Sequence, residues 1–86
     1  AVIPLEQQAD GSYGTAEVFD ALANLVAGDL PVRETDGYGE YGVYWDGRNE
    51  NGRYVGGGTY LVIIRTRDID GGKPVERRKV GVKRMP

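Results

Sequence analysis

The sequence predicts an all-β module, and three of its features lead there. Residues 41–60, YGVYWDGRNENGRYVGGGTY, run from an alternating segment (Tyr41, Val43, Trp45) through a polar, glycine-punctuated turn (Asp46 to Gly52) and past Gly56, Gly57 and Gly58 to a second alternating segment at Tyr60. That pattern reads as strand, long hairpin, strand. Residues 59–67, TYLVIIRTR, are rich in β-branched and aromatic side chains, with Tyr60, Val62 and Ile64 on one face and Leu61, Ile63, Arg65 and Arg67 on the other. Finally, 14 glycines, six tyrosines and 28% charged residues suit a small chain with many tight turns better than a helical bundle.

Taken in order, Ala1 to Leu5 is a short apolar strand, confined by Pro4 to an edge or to a strand's first positions. Gln7 to Gly14 is a turn with Asp10-Gly11 supplying left-handed geometry. Thr15 to Val26 (TAEVFDALANLV) is open between two readings: Val18, Leu22, Leu25 and Val26 have near-helical spacing, whereas Thr15, Val18 and Phe19 prefer strands and Asp20 to Asn24 can form a hairpin turn. Gly28 to Gly39 reads as loop, with Pro31 and Asp36-Gly37 as breakers. Glu40 to Asp46 is a strand with Tyr41, Val43 and Trp45 on one face and Tyr44 on the other. Thr59 to Arg67, apolar on both faces at its start, is a central strand or one with a partly covered outer face. Asp68 to Gly72 is a turn, and Pro74 to Met85 a closing strand in which Arg78, Val80, Val82 and Arg84 alternate with Lys79, Gly81 and Lys83.

With 86 residues, the chain is expected to form a single domain, 1–86, that buries about 60% of its unfolded surface around one thin core. It has no cysteine and no histidine, which excludes disulfides, thiolate or imidazole metal sites, and Ser-His-Asp or Cys-His catalysis. No apolar run reaches the ~18 residues of a membrane span, so no membrane insertion is expected. The sequence shows no signal peptide and begins without methionine, the start expected of a processed product or an excised piece. Net charge is −2 but unevenly spread: residues 1–50 hold ten acids against Arg33 and Arg48 (−8), and 51–86 hold nine bases against Asp68, Asp70 and Glu76 (+6). The simplest expectation is that the basic end pairs with acidic strands of the same domain. A nucleic-acid partner is not expected, because the aromatics lie in the acidic half.

The order VFDALANLV, loop, VYWDGRNENGRYVGGGTYLVII, RRKVGVKR resembles the immunoglobulin-like module of the flagellar hook-capping protein and of the C-terminal domains of bacterial secreted proteins, including type IX secretion cargo. Trp45, Asp46, Gly47, Asn49, Gly52, Val55, Gly58 and Tyr60 match that family's W-D-G-x-(D/N)-x-x-G-x-x-V-x-x-G-x-Y pattern, and Lys79, Val80, Val82 and Lys83 fit its closing strand. The resemblance implies an immunoglobulin-like antiparallel β-sandwich of about seven strands, with Thr15 to Val26 as two strands and a turn. It also implies an extracellular or cell-surface location and a sorting or anchoring role. The family usually has Gly in the first hairpin turn where this chain has Ala23, so Asn24 is the residue expected at positive φ.

Each residue of the motif has a folding role: Trp45 fills a thin core, Asp46 accepts backbone N–H bonds from the turn, Gly47, Gly52 and Gly58 permit unusual backbone, and Val55 and Tyr60 turn inward. No catalytic, cofactor-binding or metal site is expected. Asp46, Asn49, Glu50 and Asn51 lack the spacing of a calcium loop. Tyr38, Tyr41 and Tyr44 could form a sugar-stacking platform with Trp45, but alternation divides them between two faces and Trp45 is needed inside, so the core reading is preferred. Glu34 and Asp36 have no apolar pocket near them in sequence to raise a pKa. The candidate interaction face is Leu61, Ile63, Arg65 and Arg67 with Lys79 and Lys83, opposite the core side of the same strands. The partner expected is protein, either a further copy or secretion and anchoring machinery. A filament subunit joined through strand edges is the first alternative, a carbohydrate-binding module the second.

Overall fold

Alternating apolar and polar side chains, broken by turns that each need a left-handed residue, give this chain five antiparallel strands and, among the described residues, no helix. The computed structural model describes residues 4–35 and 40–83. The strands are β1 (Gly14–Phe19), β2 (Leu25–Glu34), β3 (Tyr41–Val43), β4 (Gly58–Thr66) and β5 (Val75–Val82). They form one curled sheet in the order β3-β2-β1-β4-β5, with every pair antiparallel.

Thr15 to Val26 is a hairpin: β1 ends at Phe19 and β2 begins at Leu25. Gly28 to Glu34, read from sequence as loop, is instead the body of β2. Of the expected breakers, Pro31 is accommodated within β2, while Asp36-Gly37 lies outside the described residues. Against β1, the register of β2 slips between the pairs Ala16↔Leu30 and Val18↔Ala27, and again before Phe19↔Leu25, with Asp29 at φ 54 inside the first slip. Such bulges add a residue to one strand and sharpen its twist, which bends the sheet. Pro31 lies one residue past the last β2–β3 pair, Val32↔Val43, so its missing N–H removes no ladder bond on that side.

Five strands stand where about seven are expected. Residues 1–3 of the expected first strand lie outside the described residues, and Leu5 makes a single bridge, to Asp68. Asp36, Gly37, Tyr38, Arg84 and Met85 also lie outside them. The strand expected at Glu40 to Asp46 is shorter, Tyr41–Val43, and the 44–57 segment contributes a single bridge, Arg48↔Tyr54. The inner face collects Ala16 and Val18 of β1, Ala27 of β2, Tyr60 and Val62 of β4, and Val55 from the segment laid across it, all buried.

Four connections are one device. In each, residue i donates its N–H to the carbonyl of residue i+4: Gln8 to Ser12 at 2.7 Å, Asp20 to Asn24 at 3.0 Å, Asn49 to Arg53 at 2.8 Å and Asp68 to Gly72 at 2.9 Å. The N–H of residue i+3 returns to the carbonyl of residue i, and residue i+3 is left-handed: Gly11 at φ 89, Ala23 at 64, Gly52 at 80 and Gly71 at 89. This is the three-residue hairpin loop, a turn closed by a bulge residue in αL. In three of the four, residue i is Asp or Asn, and its Oδ1 accepts the N–H groups of residues i+2 and i+4 (Asp20, Asn49 and Asp68). The positive φ therefore falls on Ala23, not on Asn24: Asn24 is the i+4 residue, whose N–H Asp20 accepts.

Two outcomes follow. A non-glycine residue in αL costs about 1–2 kcal/mol, of which about 0.5–1 is offset because glycine loses more entropy on folding. Ala23→Gly is therefore expected to raise the urea midpoint by the equivalent of about 0.5–1 kcal/mol, and a lowered midpoint would refute the strain. The Asp10 and Asp20 carboxyls are held below the ordinary 3.8, Asp10 chiefly by the Ser12 backbone N–H and Asp20 by that of Asn24. Folded values below the unfolded ones contribute stability above the unfolded pKa that is lost as pH falls through the folded one. The thermal midpoint should accordingly drop below about pH 4, and Asp20→Asn, which keeps the acceptor, should show a smaller drop.

Candidate functional site

Two regions hold the residues singled out by the sequence: the 45–60 motif over the inner face and the opposite, outer face of β1, β4 and β5. The motif is a small lid. From Gly47 to Val55 the chain folds back on itself: the Val55 N–H donates to the Gly47 carbonyl at 2.9 Å, Arg48 and Tyr54 form a bridge, and Asn49 to Arg53 is the shared turn. The Glu50 N–H, donating to the Val26 carbonyl at 3.0 Å, ties the tip to β2. Val55 is 8% exposed and belongs to the core.

Trp45 anchors the lid from its base. Its ring meets Tyr60 edge-on at 5.4 Å, and its Nε1–H donates to the Arg48 carbonyl at 2.9 Å. The ring is half-buried, less than the full burial its role predicts, because one side faces a groove beside β5. Asp46 makes the expected turn, its Oδ1 accepting the Arg48 N–H at 3.0 Å. The Arg48 guanidinium lies over the Tyr54 ring at 4.6 Å and donates to its hydroxyl at 2.8 Å, a bond that raises the Arg48 pKa further. Tyr60 donates its hydroxyl to the Gly56 carbonyl at 2.7 Å, closing the far end of the lid. Gly58, at φ 154, opens β4. Asp46 and Asn49 thus spend side-chain oxygens on backbone N–H groups of their own turns, and among the described residues no three acidic side chains gather.

On the outer face the register brings four of the six expected interaction residues together. Leu61 stands between Phe19 and Lys79, Ile63 between Glu17 and Arg77, and Arg65 between Thr15 and Val75. Arg67 and Lys83 are exposed just beyond the ends of β4 and β5. Sequence reasoning missed Phe19, which with Ala21 and Ala23 joins Leu61, Ile63 and the Lys79 stem around a concavity of about 520 Å³. The signal was its place in β1, but only the β1–β4 register assigns it to this face. Among the described residues Tyr41, Tyr44 and Trp45 do not share one platform: Tyr44 is 82% exposed, Tyr41 meets Tyr13 in a tilted pair at 4.7 Å, and Trp45 meets Tyr60; Tyr38 lies outside the described residues. Burial, foremost, raises the Tyr41 pKa.

The charge halves do not neutralise each other as expected. Among the described residues the one ion pair joining them is Arg65–Glu17 at 3.3 Å on the outer face. Arg78 pairs with Glu76 of its own strand at 2.9 Å, and Arg48 with Asp46 of its own turn. Strand order is the reason: β5 adjoins only β4, while the acidic residues lie on β1, β2 and the segments around β3.

Trp45→Ala is expected to cost about 3 kcal/mol in a urea titration, the low end for a large aromatic because the ring is half-buried. Tyr44→Ala, next in sequence but exposed, is expected to stay within about 0.5 kcal/mol; equal losses would reverse the assignment of faces. No protein-family model matches the chain, and no curated protein or solved structure is significantly similar to it.

Proposed function

We propose that the chain is a non-catalytic structural or assembly module of a secreted or cell-surface bacterial protein, immunoglobulin-like in kind and serving sorting or anchoring. The observation that carries the assembly part is a sheet with apolar side chains on both faces and a lid on one. The inner face has the 47–55 hairpin over it. The outer face presents Phe19, Leu61 and Ile63, half-buried, with Leu25, Glu17, Arg77 and Lys79 beside them. Long basic side chains can shade apolar neighbours while keeping their charges in water, and the same arrangement forms an apolar floor with a basic rim for a protein partner. The 45–60 motif and its resemblance to the hook-capping type of module support the kind of protein and its location. The side-chain oxygens of Asp46 and Asn49 accept backbone N–H groups of their own turns, which supports a folding role for the motif.

A second reading, a filament subunit joined through strand edges, is favoured by the basic β5 at one margin of the sheet and the acidic residues Glu34, Glu40 and Asp46 around β3 at the other. The carbohydrate-binding reading is less favoured, because among the described residues Tyr41, Tyr44 and Trp45 do not share one platform.

Sedimentation of the purified chain over a range of concentrations tests the assembly reading. Association is expected, and Leu61→Lys should reduce it without lowering the urea midpoint. A monomer at all concentrations, at low and moderate salt, with Leu61→Lys changing nothing, would remove the reading.

A further inference from the structure

Among the described residues the curled sheet is open along one side, its β3 and β5 margins unpaired. The two margins face each other across the inner surface of β4. Between them runs a groove in two connected lengths, about 220 and 430 Å³, both lined by Val43, Val62 and Val80. Ile64 floors one length, and Trp45 and Val82 line the other.

The backbone of β5 that borders this groove can be assigned. The Thr66 N–H donates to the Pro74 carbonyl at 3.1 Å, and the register continues from Arg65↔Val75. Bonded and non-bonded pairs alternate in an antiparallel ladder. Glu76, Arg78, Val80 and Val82 therefore direct their N–H and C=O groups to β4, whereas Val75, Arg77, Lys79 and Gly81 direct theirs away, to the unpaired margin. An open row of that kind is a template for a further strand.

We infer that the groove between β3 and β5 receives an extended acidic segment of another polypeptide, which pairs with the outer margin of β5 and completes the curl. Charge selects the occupant. On the outward side β5 presents Arg77 and Lys79, with Lys83 beyond its end, while the groove's own charged lining is Arg78, paired with Glu76, and Asp46. Among the described residues neither Arg77, Lys79 nor Lys83 has an ion-pair partner within the chain. Side chains directly opposite in a ladder share a face, so an added strand sets its outward residues beside Arg77 and Lys79 and its inward ones beside Val80 and Val82. Acids outside and small apolar residues inside fit both. Symmetric pairing of two β5 margins, the simplest use of the edge by a second copy, would oppose like charges and is disfavoured. The inference rests on the assembly reading and gives it a partner class distinct from whatever covers the outer face.

The test is an amide-shift titration of the whole chain with capped Glu-Val-Glu-Val-Glu-Val-Glu, with Lys-Val-Lys-Val-Lys-Val-Lys as its counterpart. Saturable shifts along β5 and β3 are expected with the acidic peptide alone, weakening as salt is raised. The Arg77→Glu/Lys79→Glu double variant should bind it about tenfold more weakly or not at all, a difference of about 1.4 kcal/mol. Lys79→Pro removes an N–H that points to the groove and not to β4, so it should abolish the β5 shifts while the circular dichroism spectrum is retained; should it not fold, the double variant decides alone. The inference is overturned by equal binding of the two peptides, by shifts confined to Phe19, Leu61 and Ile63, or by full binding to the double variant. Concentration-dependent β5 shifts without peptide would overturn it in favour of a second copy as occupant. Absent peptide shifts together with intact self-association would sink the strand-addition site and leave the assembly reading standing.

Discussion

A single sheet cannot bury its own inner face, and the remainder of this fold follows from how that face is covered. The inner face of the five strands needs a second layer, and the only one the described residues supply is the turn-back from Gly47 to Val55, pinned by Val55 in the core, by Trp45 against Tyr60 and by the Glu50 bond to β2. A lid so small covers the inner face incompletely. It protects Ala16, Val18, Tyr60 and Val62 and stops short of the margin, where Trp45, Val43, Val80 and Val82 are only partly buried. The half-exposed tryptophan and the open groove are thus the same fact seen from two sides, and both go back to a second layer that is one hairpin wide.

The lid and the sheet are built with one kind of corner. Asp20, Asn49 and Asp68 each satisfy two backbone N–H groups of the loop they begin, and the residue three further on is left-handed. A side-chain acceptor in this position removes the polar cost of reversing the chain tightly without help from neighbouring elements. Short range is the common property: each corner is specified within five residues.

That short range decides what could be read in advance. The central β4 strand, the Asp46 turn and the split of β4 into a core side and an outer side were legible, because alternation and Asp or Asn followed by Gly are local signals; the expected hairpin from the Tyr41 strand to the Tyr60 strand does not form, since β3 pairs with β2 while β4 lies between β1 and β5. Ala23 hid its corner by lacking the glycine that Gly52 and Gly71 display at the equivalent place. β2 was illegible from Gly28 onward because bulges and a proline at a pair's end are tolerated only in relation to neighbouring strands, and neighbours are not written locally. Strand order was equally hidden. It places the basic strand next to β4 and away from the acids, which is why the intramolecular neutralisation expected from charge counts is limited to Glu17 and Arg65. Phe19 joined the candidate face only through its register with Leu61.

The β1–β4 ladder, described above simply as the middle of the sheet, divides the molecule by sequence distance. On one side β1 and β2 close through the Asp20 corner, and on the other β4 and β5 close through the Asp68 corner; each hairpin can form from its own residues. Between them, Gly14 must find Thr66 and Phe19 must find Leu61, with β2, β3 and the lid all lying in the intervening chain. Closing so long a loop carries an entropy cost that local hairpins avoid, and contacts of this separation slow folding. The seam is tight once made, for a side chain at Gly14 would run into the Arg65 carbonyl. The molecule is therefore two locally autonomous halves sewn along one central line, and that line, more than either hairpin, sets the pace at which a newly made chain acquires its shape.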